Sequence, residues 1–167
     1  MKLDIGCGRK TSPGYVGMDI SPEVGAEFVH DWDVLPWPFA DGCVDEINAS
    51  HVLEHTKDLI AFMNECHRIL KKGGTMHVAC PYYTSMGAWQ DPTHVRAISE
   101  MTFAYFCALN RKAMDVMHYP ITADFAFQYS HLVDPAWAEG LSEERIKLGV
   151  KHSFNTCHTI KATLIKR

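Results

Sequence analysis

The chain has 167 residues, enough to bury a sizeable core in one domain. Hydrophobic residues make up 47% and charged residues 22%, which excludes a disordered tail, and no apolar run approaches the roughly 20 residues of a membrane span. Sixteen basic against twenty acidic residues give a net charge of -4, and without a basic block beyond Lys71-Lys72 the composition argues against a nucleic-acid partner.

Strand-like runs fall at Leu3 to Ile5, Tyr15 to Ile20, Glu27 to His30, Val44 to Ser50 and Thr75 to Ala79. Short apolar runs punctuated by glycine and proline predict a parallel sheet. Between the fourth and fifth, Lys57 to Lys72 places apolar residues on one helical face and ends in Lys71-Lys72-Gly73-Gly74, a cationic last turn and a glycine stop. Helices are also predicted from Ser99 to about Met114 and from Ser142 to about Val150, each with serine as N-cap. His158 to Lys166 reads as a final strand, closing a C-terminal antiparallel hairpin that begins near Asp124. No linker divides the chain, so residues 1–167 are expected to form one domain. Six scattered cysteines with no Cys-x-x-Cys pair, and a strand at the very start with no signal segment, predict reduced thiols and a cytoplasmic protein.

The first strand ends in Leu3-Asp4-Ile5-Gly6-Cys7-Gly8 and the second in Val16-Gly17-Met18-Asp19-Ile20. Gly6 and Gly8 let backbone N–H groups approach a ligand where a Cβ would collide, and Asp19 is placed to accept hydrogen bonds from two ribose hydroxyls. A nucleoside cofactor is therefore expected at the carboxyl edge of the sheet. Only nine residues, Gly6 to Gly14, separate the two strands, too few for the usual crossover helix. Loop amides from Gly8 to Thr11 would then hold the ligand's anionic end, and a second copy of the chain is one way to cover the sheet face left bare. A dinucleotide dehydrogenase fits less well, because it expects glycine at Thr11 and a full helix afterward.

In order and spacing, LDIGCG, GMDIS, HDWDVLPWPFADGCVDEINASHVLEH and ECHRILKKGG-TMHVACP resemble the class I S-adenosylmethionine-dependent methyltransferases, over Met1 to about Tyr83. The likeness is to small members with a shortened first helix and a D-P-T-H-V-R element after the fifth strand. It implies a three-layer doubly wound α/β sheet, Rossmann-like and mostly parallel, with S-adenosylmethionine as cofactor. Asp4, Gly6, Cys7 and Gly8 would then hold the methionine portion. Asp19 and Ile20 would hold ribose and adenine, Asp31 the adenine amino group, and Trp32 the ring, with Asp33 as a substitute acid. Ser50 and His51 would line the floor beside the sulfonium. Where the family's glycine loop has its third glycine, this chain has Lys10.

Asp91-Pro92-Thr93-His94-Val95-Arg96 combines a turn former with an imidazole and a guanidinium. His94 could remove an acceptor proton and Arg96 could bind an acceptor carboxylate or phosphate, or Asp91 and Arg96 could form an ion pair that fixes the loop. His51, His94, Asp91 and Arg96 are thus the catalytic candidates. His51-Val52-Leu53-Glu54-His55 also spells the H-x-x-E-H pattern of inverted zinc peptidases, with His94, Asp91 or Glu100 available as a third ligand, so a zinc-dependent hydrolase is an alternative, as is a noncatalytic cofactor-binding protein. In the preferred reading there is no metal. The function expected is methyl transfer to a small-molecule or glycan-like acceptor.

Overall fold

In the computed structural model, which describes residues 1–167, seven strands form one sheet in the order β3-β2-β1-β4-β5-β7-β6. They are β1 (Lys2–Ile5), β2 (Val16–Asp19), β3 (Phe28–Val29), β4 (Val44–Ser50), β5 (Leu70–Pro81), β6 (Phe125–Val133) and β7 (Cys157–Lys166). The first five are parallel, and β7 runs antiparallel to both of its neighbours. The strand order reverses between β1 and β4, which is where a doubly wound sheet opens a crevice at its carboxyl ends.

Side-chain alternation separates the two faces. Leu3, Ile5, Ile47, Ala49, Met76, Val78, Ala162 and Leu164 share one register-matched face and are buried. Against it packs α1 (Leu59–Ile69), capped by the Asp58 carboxylate on the Ala61 N–H at 2.9 Å, which buries Phe62, Met63, Cys66 and Ile69. α2 (Glu100–Ala104) adds Phe103 to the same core. The long connection from β6 to β7 carries α4 (Pro135–Ala138) and α5 (Glu143–His152), the latter capped by Ser142.

On the opposite face lie Asp4, Asn48, His77 and Thr163, again in register, with Lys161 exposed. No helix covers them. The Gly8 to Gly14 loop stands where a crossover helix would start, so the third layer of the expected three-layer sandwich is not supplied by this chain, while the mixed sheet and its antiparallel end strand form as expected.

Two expected helices change in extent. The 57–72 helix is shorter because Leu70 leaves it to pair with Val44 at the start of β5, and the register shift before Glu46 absorbs Lys71 to Gly74. The 99–114 helix is broken into α2 and α3 (Ala108–Ala113). Its interruption has a tertiary cause: the Tyr105 carbonyl accepts the buried Arg111 guanidinium at 2.8 Å, and the Phe106 carbonyl accepts the Phe125 N–H at 2.8 Å. Those acceptors are lost to a continuous helical ladder. The third strand is also shorter than expected, two residues in place of four. No helix is long and apolar enough to cross a membrane.

α1 also anchors the loop that follows β3. Glu65 Oε1 accepts the Trp37 N–H at 2.7 Å, and both Glu65 oxygens accept the Arg68 guanidinium, at 2.6 and 2.9 Å. Trp37 in turn donates its indole N–H to the Trp32 carbonyl at 3.1 Å. An ion pair between the buried Glu65 and the partly exposed Arg68 thereby fixes the loop that follows β3.

Candidate functional site

The turn after β1 is built by backbone conformation and two carboxylates. Gly6 and Gly8 take φ of 64° and 56°, and the Gly6 N–H donates to the Met18 carbonyl at 2.7 Å. Asp19, at the end of β2, accepts the Gly8 N–H at 2.9 Å on one oxygen and the Ser21 N–H at 2.9 Å on the other. Asp4, only 4% exposed, accepts the Ser12 N–H and the Asn48 amide, each at 2.7 Å. The loop is thus pinned at both ends, which substitutes for the missing helix. The Cys7 thiol lies within it, its pKa raised chiefly by burial.

Gly6 has no room for a side chain. A Cβ there would come within 2.7 Å of Val52 Cγ2 and 3.5 Å of the Trp32 ring, at a φ that side chains rarely adopt. Gly6→Ala is expected to cost roughly 1–3 kcal/mol of stability. Thermal unfolding checks this, and an unchanged melting temperature would contradict the close packing of Trp32 and Val52 on the turn.

A cavity of about 630 Å³ opens beside this turn on the uncovered sheet face, within the size range of cofactor sites. Of the residues expected from the sequence to touch cofactor, Asp4, Gly6, Cys7 and Ser50 line it. Lys10, Asn48, His77, Lys161 and Thr163 also line it and were not anticipated. Asn48 and His77 were detectable in principle, as polar residues alternating with buried Ile47 and Ala49 or Met76 and Val78. Trp32 stands against Gly6, and neither it nor Gly8, Asp19, Ile20, Asp31 or His51 lines the cavity. Asp31 Oδ1 accepts the Asp33 N–H at 2.9 Å, whereas Asp33 accepts the Lys57 N–H at 3.0 Å and so serves the loop itself. Ile20 is half exposed.

At the exit of β4, His51 takes a φ of 57° and donates its backbone N–H to the Ala79 carbonyl at 2.8 Å. Its side chain is 58% exposed, with Nδ1 3.1 Å from Oε1 of the buried Glu54. That hydrogen bond raises the His51 pKa above the ordinary imidazole value. Residues 51–57 form turns, not a helix, so His51 and His55 do not share a helical face and the H-x-x-E-H arrangement of a zinc peptidase does not form. The 91–96 element docks here through the Val95 N–H, which donates to the Glu54 carbonyl at 2.8 Å. Asp91 and Arg96 do not pair. Asp91 accepts from Thr93, which holds its carboxyl below the usual range, while Arg96 donates to the Lys57 carbonyl at 2.9 Å. His94 is nearly buried, its Nδ1 3.2 Å from the Ala88 carbonyl. Of the four catalytic candidates, only His51 presents an exposed, oriented imidazole.

Residues 3–78 match the family described as the methyltransferase domain, a span that contains the Gly6–Gly8 turn, Asp19 and the β4 exit. That match takes in the first part of the chain, and the fold is similar to that of S-adenosylmethionine-dependent methyltransferases. A methyltransferase of Archaeoglobus fulgidus described as SAM dependent has the same fold, with a TM-score of 0.68, 18% identity, and coverage of 99% of this chain and 85% of the other. The YcgJ protein of Bacillus subtilis superposes with a TM-score of 0.60 and 21% identity, over 99% and 91% of the two chains. In sequence, the chain is 24% identical over 163 residues to the ajmaline N-methyltransferase of Rauvolfia serpentina. The match takes in 80% of the chain and 56% of the length of that plant enzyme.

Proposed function

We propose that this protein transfers the methyl group of S-adenosylmethionine to a small-molecule acceptor, glycan-like acceptors included. The observation that carries this reading is the pairing of the Gly6–Gly8 turn with Asp19 at the switch point of the sheet. A carboxylate offers about four acceptor positions. At Asp19 two are used by the Gly8 and Ser21 N–H groups, and two are left for the ribose hydroxyls. Asp31, with one oxygen committed to the Asp33 N–H, keeps the other for the adenine amino group, while Trp32 and Ile20 flank the ring. Asp4, Gly6 and Cys7 accommodate the methionine portion, with Gly8 shaping the turn beside them, and Lys10 offers a cation to its carboxylate. Ser50 and His51 close the floor.

The cofactor brings an electrophilic sulfonium methyl, so the chain's work is to align donor and nucleophile at about 3 to 3.5 Å and to exclude water. Bound S-adenosylmethionine would supply that methyl to the acceptor's lone pair, the carbon–sulfur electrons leaving with sulfur. His51 is placed to take the acceptor's proton at Nε2, with Nδ1 held by Glu54. His94, Asp91 and Arg96 serve the loop beside it.

Incubation with methyl-labelled cofactor and a panel of small amines, alcohols and saccharides tests this. The expected result is acceptor-dependent labelling that His51→Ala reduces by roughly 10²–10⁴-fold with S-adenosylhomocysteine affinity retained. Tight product binding with no labelled acceptor across the panel would leave a noncatalytic binding protein.

A further inference from the structure

Behind the β4 exit, the reading above uses only Glu54 Oε1, on His51, and leaves Glu54 Oε2 and the outer nitrogens of His55 and His94 without a part. Glu54 is 1% exposed and its Oε2 has no hydrogen-bond partner, because Oε1 takes the His51 contact. An uncompensated buried carboxylate oxygen is costly, and a native fold keeps one where something else satisfies it. One ligand atom each from Glu54, His55 and His94 lies within 4.8 Å of the others, and the two imidazoles meet edge to face at 4.7 Å.

Their hydrogen bonds decide which nitrogens are available. His94 Nδ1 faces the Ala88 carbonyl, which only accepts, so that nitrogen carries the proton and Nε2 keeps the lone pair. Thr93 donates its single hydroxyl hydrogen to Asp91 Oδ1 at 2.6 Å. Its oxygen, 3.0 Å from His55 Nδ1, must therefore accept, and the His55 lone pair is again on Nε2. Both rings are fixed by partners on the far nitrogen in the manner of metal-bound histidines. Asp91 Oδ2 lies 3.9 Å from His94 Nε2, while its other oxygen is held by Thr93.

We propose that Glu54, His55, His94 and Asp91 bind one divalent ion of the zinc class. Two imidazoles and two carboxylates satisfy the tetrahedral nitrogen and oxygen preference of zinc, and Asp91 closes the fourth position, as in a structural site. Donor atoms around such an ion lie roughly 3.3 Å apart, so the three central groups draw in by at most about 1.5 Å on binding. The ion satisfies Glu54 Oε2 and staples the 91–96 loop to the β4 exit, where the Val95 N–H already holds it. His51 takes no part, which separates this site from the H-x-x-E-H pattern, whose zinc would need it.

The test uses chelator-treated full-length protein with zinc or cobalt(II) alone. The expected result is one equivalent of zinc retained through dialysis, a zinc-dependent rise in melting temperature, and visible cobalt bands of four-coordinate type. His55→Ala and His94→Ala are expected to weaken zinc binding on the order of 100-fold or more and to lose the thermal rise, while His51→Ala keeps both. Circular dichroism of each variant checks its fold. Substoichiometric zinc in the unaltered protein overturns the proposal and needs no variant. So does a sulfur-to-cobalt charge-transfer band, which would place the ion on cysteine, or undiminished binding in folded His55→Ala and His94→Ala. None of these readouts depends on methyl transfer.

Discussion

Glu65→Ala is expected to lower stability by roughly 3 kcal/mol, a fall of about 6–12 °C in melting temperature. The carboxylate is buried and bonded to both the Arg68 guanidinium and the Trp37 N–H, so its removal strands two donors. The loss falls at the low end for a broken buried pair because Arg68 is 27% exposed and keeps Asp41 at 2.5 Å. Burial alone would raise the Glu65 pKa, but Arg68 and the Trp37 N–H outweigh it and hold it below the ordinary glutamate value. A carboxyl with a lowered folded-state pKa stabilises fully above its unfolded value and ceases to as pH falls through the folded one. The gap between the parent and Glu65→Ala should therefore be widest near neutrality and shrink in acid below the ordinary glutamate range. Denaturant titrations at several pH values measure it; a gap under about 1 kcal/mol at neutral pH would show that the pair contributes little.

Asp19→Ala is expected to weaken S-adenosylhomocysteine binding by roughly 10²–10⁴-fold. Two hydrogen bonds to a charged acceptor contribute about 1.5–3 kcal/mol each, and about 1.4 kcal/mol is tenfold in affinity. The substitution also releases the Gly8 and Ser21 N–H groups, which bond to different oxygens, so circular dichroism and thermal unfolding of Asp19→Ala separate loop disorder from the loss of ribose contacts. Affinity within threefold of the parent in Asp19→Ala would remove this residue from the cofactor site.

The legible parts of the fold were those written in local pattern. β4 spans Val44–Ser50 as expected because Val44, Ile47 and Ala49 are buried in a run bounded by Gly42 and by His51 in a left-handed turn. The nine-residue gap from Gly6 to Gly14 likewise foretold a missing helix and a bare sheet face. What local pattern did not carry was decided by contacts distant in sequence. The 99–114 helix is interrupted by Arg111, which looks ordinary in a helical window, and by the N–H of Phe125, which lies outside that window. Leu70 has the spacing of a helical residue yet pairs in the sheet with Val44. At the site, spacing suggested His51 with His55, and Asp91 with Arg96. The docking of Val95 on Glu54 instead groups His94 with Glu54 and His55 and gives Arg96 to Lys57.

The most direct measurement is calorimetric titration of the full-length protein with S-adenosylhomocysteine, which requires no acceptor. Binding of one equivalent with micromolar affinity is the predicted result. No heat and no competition by S-adenosylmethionine, with a folded protein in the cell, would contradict the assignment of the Gly6–Gly8 turn and Asp19 as a cofactor site.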